Sequence, residues 1–457
     1  MTQLTSLESN DKKLVSGITE ISVRGYKSLY EECSIEIRPL TILSGANSSG
    51  KSSIIQPLLL MKQTLEASYD PGALLIYGSH IQFTLAAQFL SQLSLTRKSD
   101  GFTITVKVNS NSSFTSFFNK HSFKGVELVE TTYSYSSLEA NPNNKFKVKL
   151  STKMSHEDFM VSLPGFVTKF DEHFLQIDRE GDKPKYRAKR ERCFLDLELA
   201  LGQESIGGGM NFSSSFQSYI RRLLHVPGLR GNPERTYKTT AIGREFPGTF
   251  DNYVASVLNH WNETKDERLQ ETGSALATLG LTSKVDAKQI NDVHIELRVG
   301  RSLTSGESTE MVSIADVGLG VSQVLPVLVA LLVAEPGQLV YLEQPEVHLH
   351  PRAQAALAEI LADAAKRGVR VVLETHSELL LLAVQSLVAE GKLSPDLVKL
   401  HWFTRREDGV TEVNSAELDD AGAFGDWPED FSNVSLKLES RYLDAAEARL
   451  WNRSHGN

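Results

Sequence analysis

Gly45-Ala46-Asn47-Ser48-Ser49-Gly50-Lys51-Ser52 has the spacing G-x-x-x-x-G-K-[ST], between an apolar run and a helical one. A loop of this kind wraps β- and γ-phosphates with successive backbone N–H groups. Its glycines keep side chains from blocking that approach, and the helix N-terminus that follows favours negative charge. Lys51 would neutralise phosphate charge, and Ser52 would offer its hydroxyl to Mg2+. The expectation is a nucleotide site.

Far downstream, Leu339-Val340-Tyr341-Leu342-Glu343 reads as an apolar strand ending in an acid, the way such proteins place a carboxylate beside Mg2+. Glu343 is therefore the expected metal-side acid. Gln344 follows, and an amide cannot accept a proton from an attacking water. Several readings stay open: Glu343 or Glu346 takes that proton, Gln344 orients water without accepting it, turnover is slow and the nucleotide acts as glue, or the glutamine is an introduced trap. His348 and His350 flank Leu349, but two histidines without further ligands are a weak zinc signal. Val371-Val372-Leu373-Glu374 is a second buried strand leading into Thr375-His376-Ser377-Glu378, where His376 could hydrogen-bond a γ-phosphate. In Asp316-Val317-Gly318-Leu319-Gly320-Val321-Ser322-Gln323, two glycines and a serine open an apolar helix. A second anion-binding helix start in one chain suggests that it caps the nucleotide of another subunit.

The elements that must position these residues read as α/β units. Strands are expected over 18–26, 34–37 and 40–43 before the glycine loop, with a broadly apolar helix after it. Downstream, SQVLPVLVALLVAEPG, QLVYLE, RAQAALAEILADAAKRG and VRVVLE alternate helix and strand, as in a mainly parallel buried sheet. Between lies a region of different texture, with strand-like FTITVKV and KFKVKLS, a serine-rich segment NSNSSFTS read as turn, and GGGMNFSSS. The expected division is 1–97 and 289–410 as the two halves of a nucleotide-binding head, 98–288 as an inserted α+β lobe, and 411–457 as a short C-terminal domain.

The 457 residues carry a formal charge of −9, which excludes a protein that coats nucleic acid by whole-molecule charge. Two cysteines, Cys33 and Cys193, make no disulfide framework, and the polar start predicts a cytoplasmic location. The longest apolar run, 324–334, is well short of the ~20 residues a membrane span needs. One local basic run, with Lys183, Lys185, Arg187, Lys189, Arg190 and Arg192 around Tyr186, is a candidate nucleic-acid contact.

Taken in order, ISVRGYKSL, PLTILSGANSSGKSS, DVGLGVSQVLPVL, LVYLEQPEVHLHP and LETHSELL resemble the prokaryotic ABC-type ATPases related to SMC proteins and OLD nucleases. The resemblance implies an ABC-type P-loop head with ATP and Mg2+ as cofactors. It makes Gly45, Asn47, Gly50, Lys51, Ser52 and Ser53 the Walker A contacts, and Gly320, Ser322 and Gln323 signature contacts made in trans. Glu343 becomes the Walker B acid and His376 the switch histidine, while Gln82 is the candidate for a glutamine expected after the first helix. Many relatives read Glu-Glu-Pro-Glu where this chain has Glu343-Gln344-Pro345-Glu346, which bears directly on hydrolysis. Ala416–Gly422 with Trp427–Phe431 looks like the short C-terminal domain of one branch, and Val226–Arg235 is similar to that branch's middle motif, whose Arg230 and Arg235 would reach phosphate or a partner carboxylate.

No acidic cluster of a nuclease kind follows the switch. The chain therefore resembles ATPase subunits that pair head to head and control a separate toxin or nuclease in antiphage defence. Alternatives are a DNA-repair or chromosome-associated ATPase that clamps DNA, although no sustained heptads are visible, and a scaffold held together by ATP.

Overall fold

The computed structural model describes residues 16–94, 96–109, 111–121, 125–136, 145–163, 165, 183–301, 310–425 and 440–445. The chain opens with β1 (Ile18–Arg24), β2 (Cys33–Glu36), β3 (Leu40–Gly45) and α1 (Lys51–Glu66). Next come β4 (Gly101–Val108), β5 (Ser112–His121), β6 (Gly125–Ser136), β7 (Lys145–Ser151) and α2 (His156–Ser162), followed by β8 (Lys185–Glu191), β9 (Phe194–Leu201), β10 (Glu204–Met210) and α3 (Ser214–Arg221). After β11 (Leu224–Val226) and β12 (Tyr237–Lys238) stand α4 (Val254–Thr264), α5 (Arg268–Thr278), β13 (Val285–Asn291), β14 (His294–Gly300) and β15 (Met311–Ser313). The last elements are α6 (Leu319–Val333), β16 (Leu339–Glu343), α7 (Pro351–Lys366), β17 (Arg370–Glu374), α8 (Glu378–Ala389), β18 (Val398–Arg405) and β19 (Thr411–Ala416).

The central sheet has the order β11-β16-β17-β3-β18-β19, parallel except for β19. Its inner strands β16, β17 and β3 are buried almost throughout because both faces are covered. Ile42, Leu342 and Leu373 pack into the core that holds α6, α7 and α8, whereas Leu43, Tyr341 and Val372 face α1 and the antiparallel strands. The glycine loop leaves the carboxyl end of β3, and Glu343 and Glu374 end β16 and β17 at that same edge, where α/β sheets bind ligands. This is an α/β fold with a mainly parallel central sheet, as the sequence predicts.

An antiparallel sheet, β2-β1-β4-β5-β6-β7, covers the α1 side, beside the smaller β10-β9-β8 sheet. The serine-rich segment read as a turn is largely strand: β5 runs from Ser112, with Phe114 and Phe118 fully buried and serines and threonines between them. The period of two, not the hydroxyl content, decides it. Three expected boundaries also need correction, because hydrogen-bonded ladders cross them. β4 pairs with β1 across 97/98, β13 and β14 form one hairpin around 288/289, and β18 pairs with β19 across 410/411. Within the expected lobe, β11 is a strand of the central sheet. Trp427–Phe431 lies outside the described residues. Among the described residues no helix is long and apolar enough to cross a membrane.

Candidate nucleotide site

Two glycines make the loop possible. Gly45 has φ 138° and a Cβ there would stand 2.2 Å from the Phe403 carbonyl oxygen; Gly50 has φ 109° and would meet Thr411 Oγ1 at 2.7 Å. Thr411 holds the loop from below, donating to the Ser49 carbonyl at 2.6 Å. Lys51, the first residue of α1, reaches the carbonyl oxygens of Gly45 (2.9 Å) and Ala46 (2.7 Å). Burial lowers its pKa, with Glu374 opposing. Ser49 Oγ is buried without a hydrogen-bond partner among the described residues. A cleft of about 580 Å3 opens over Gly50, Lys51, Ser52, Ser53, Gln56 and Gln92, within the range of small-molecule sites. Gln82 does not line it: that residue is exposed and bridges Tyr77.

The carboxylates divide differently from the sequence expectation. Ser52 Oγ donates at 2.8 Å to Glu374 Oε2, and the Tyr341 hydroxyl bonds the other oxygen of Glu374. Burial pushes the Glu374 carboxyl up to about 7, helped by neighbouring Glu343 and opposed by Tyr341, Ser52 and Lys51. Glu343 instead meets His225 Nε2 at 3.1 Å and accepts from the Gly228 N–H at 3.0 Å. Burial would raise its pKa, but these contacts and Arg230 hold it below the usual carboxylate range. His225 continues through His80 Nδ1 (3.0 Å) to Glu66 (3.2 Å), which is paired with Lys62. A buried ionisable chain thus runs from the end of β16 to the last turn of α1.

Gln344 takes the left-handed conformation, φ 43°, and its N–H donates to the Glu374 carbonyl at 2.9 Å. Glu346 Oε1 accepts from Thr375 Oγ1 (2.7 Å) and the His376 N–H (3.0 Å), while its Oε2 is buried without a partner among the described residues. Glu346 therefore anchors the segment carrying His376, a half-buried imidazole whose pKa burial lowers, with Lys51 adding to the effect. His350 caps α7 through the Arg352 N–H, and His348 is exposed.

Gly320 and Ser322 are partly exposed at the start of α6. Gln323 points inward and donates to the Gly231 carbonyl at 3.0 Å, so its side chain is committed within its own chain rather than to a partner's nucleotide. Arg230 is buried, donating to the Gln323 carbonyl and, at 2.8 Å, to that of Gln344; it ties α6 to the end of β16. Arg235 pairs with Asp316. The basic run is largely used internally: Arg187 and Lys189 meet Glu198, Arg190 meets Asp70, and Arg192 donates to the Thr64 carbonyl. Tyr186 is 2% exposed, so its ring is not free to stack on a base.

Residues 17–183 match the family model described as "AAA ATPase domain", and residues 179–383 match the one described as "AAA domain, putative AbiEii toxin, Type IV TA system". Together the two spans contain all five motifs, and over each of them the chain is similar to ATPase domains. No curated protein is significantly similar in sequence. Solved structures that align include an SmcHead bound to the C-winged helix domain of ScpA (11% identity, 89% of this chain and 99% of that one, TM-score 0.46). An SMC head domain from Thermotoga maritima aligns at 9% identity over 87% of this chain and 98% of that one, TM-score 0.35.

Proposed function

We propose that the chain binds and hydrolyses MgATP at the loop between β3 and α1, pairs head to head around the nucleotide, and controls a separate toxin or nuclease in antiphage defence. The observation that carries the nucleotide part is the loop itself: Lys51 at the head of α1 and Ser52 donating to a buried carboxylate at the carboxyl edge of a parallel sheet. Hydroxyl and carboxylate oxygens are the hard donors Mg2+ prefers, and the unpartnered Ser49 hydroxyl is a further donor for phosphate. Bound Mg2+ would supply charge neutralisation at the phosphate oxygens. Ser52 would face it with a carboxylate from the strand ends, the N–H groups of 45–53 would cradle phosphate, and His376 would sense the terminal phosphoryl group.

The partner half of the proposal rests on Gly320 and Ser322 at an open helix start, and on exposed Leu229, Leu319 and Leu379 beside these motifs. The effector half rests on the resemblance and on the toxin–antitoxin description of the matching family. Steady ATP turnover by the purified chain, abolished by Lys51→Ala, tests the enzymatic reading. No turnover above the Lys51→Ala blank, in the chain alone or with its co-purified partner, would refute it.

A further inference from the structure

Glu343 and Glu374 are register partners on adjacent parallel strands, and paired residues share a face, here the face toward α1. Strand order then ranks them. β17 lies directly beside β3, and β16 is one strand further out, so the Glu374 carboxylate is the nearer to the loop. The hydrogen bonds agree: Ser52 donates to Glu374, while Glu343 is drawn the other way by His225 and the Gly228 N–H. Tyr341 fixes the second oxygen of Glu374, leaving the carboxylate one orientation, toward Ser52.

We propose that Glu374, rather than Glu343, is the carboxylate that faces the metal of bound MgATP together with Ser52. The assignment rests on the nucleotide reading above. It gives β17, which lies between the Walker A strand and the strand ending in Glu343, a direct part in holding the metal; Glu343 remains the acid oriented by His225.

The test is Mn2+ binding, read by electron paramagnetic resonance, with the β,γ-imido analogue of ATP on the full chain. Glu374→Gln, which keeps the shape but replaces one accepting oxygen by an N–H donor and removes the charge, is expected to weaken Mn2+ by about tenfold or more, while Glu343→Gln moves it by less than about threefold. Affinity for the metal-free analogue should stay unchanged in both. Glu374→Asp keeps the charge but shortens the reach, and serves where Glu374→Gln does not fold: a similar loss supports the assignment and unchanged Mn2+ binding overturns it. Loss in Glu343→Gln with none in Glu374→Gln also overturns it, as does an equal loss of metal-free analogue binding in Glu374→Gln. If the wild-type chain binds no analogue at all, with or without Mn2+, the nucleotide reading itself falls and the assignment with it.

Discussion

At the residue scale, the sharpest question is what replaces a proton acceptor at Gln344. Its left-handed backbone and its N–H bond to the Glu374 carbonyl fix it at the edge where β16 and β17 end. A carboxylate there should gain a general-base function, so Gln344→Glu is expected to raise single-site turnover by about 10² or more, measured as steady-state phosphate release. The spacing of the sequence pointed to the loop, Glu343 and His376, which the fold brings to one edge of the central sheet. It did not reveal Glu374, which reads as the last residue of an apolar strand, nor the contact of His225 with His80, which lie 145 residues apart. A titration can also be argued here. His401 is buried between Ser415 and the Glu36 carbonyl, and burial lowers its pKa to about 4. The unfolded chain then binds more protons between pH 6.5 and 4. The contribution is fully present above pH 6.5 and is lost as pH falls through that window, by about 3 kcal/mol in total. His401→Gln should flatten that slope in urea unfolding followed from pH 7 to 4.

At the element scale, the strands and helices that carry the site were legible because their periodicities are clean. β16 and β17 are apolar runs each preceded by a glycine turn, at Gly337 and Gly368, and α6 and α7 follow apolar repeats. β5 was not, since its serines and threonines hide the alternation of Phe114 and Phe118. Phe114→Ala should therefore behave as a core deletion, costing about 3–5 kcal/mol in denaturant unfolding. Arg230 is the link between elements. Its guanidinium bridges carbonyls of α6 and of the turn after β16, and removing it leaves buried acceptors unpaired. Arg230→Ala is expected to cost about 1–3 kcal/mol of stability and to lower turnover without abolishing nucleotide binding, as separate unfolding and binding titrations would show.

At the scale of the whole molecule, the central sheet, its helical face and the antiparallel cover together present one ligand edge. The fold class was legible from the order of the motifs. The domain limits were not, because β4, β11 and the β13–β14 hairpin take their places by pairings that no local composition signals. If heads pair around ATP, Gly320→Arg should block that pairing without touching the loop, and sedimentation velocity should show an ATP-dependent dimer in the wild type alone. Every part of the account depends on the loop holding nucleotide. The most direct test is calorimetric titration of MgATP into the wild-type chain and into Lys51→Ala. The account predicts saturable binding in the wild type, weakened at least about a hundredfold in the variant, a loss of the size expected for a buried charged partner of phosphate. Equal binding by both chains, or none by either, would contradict it.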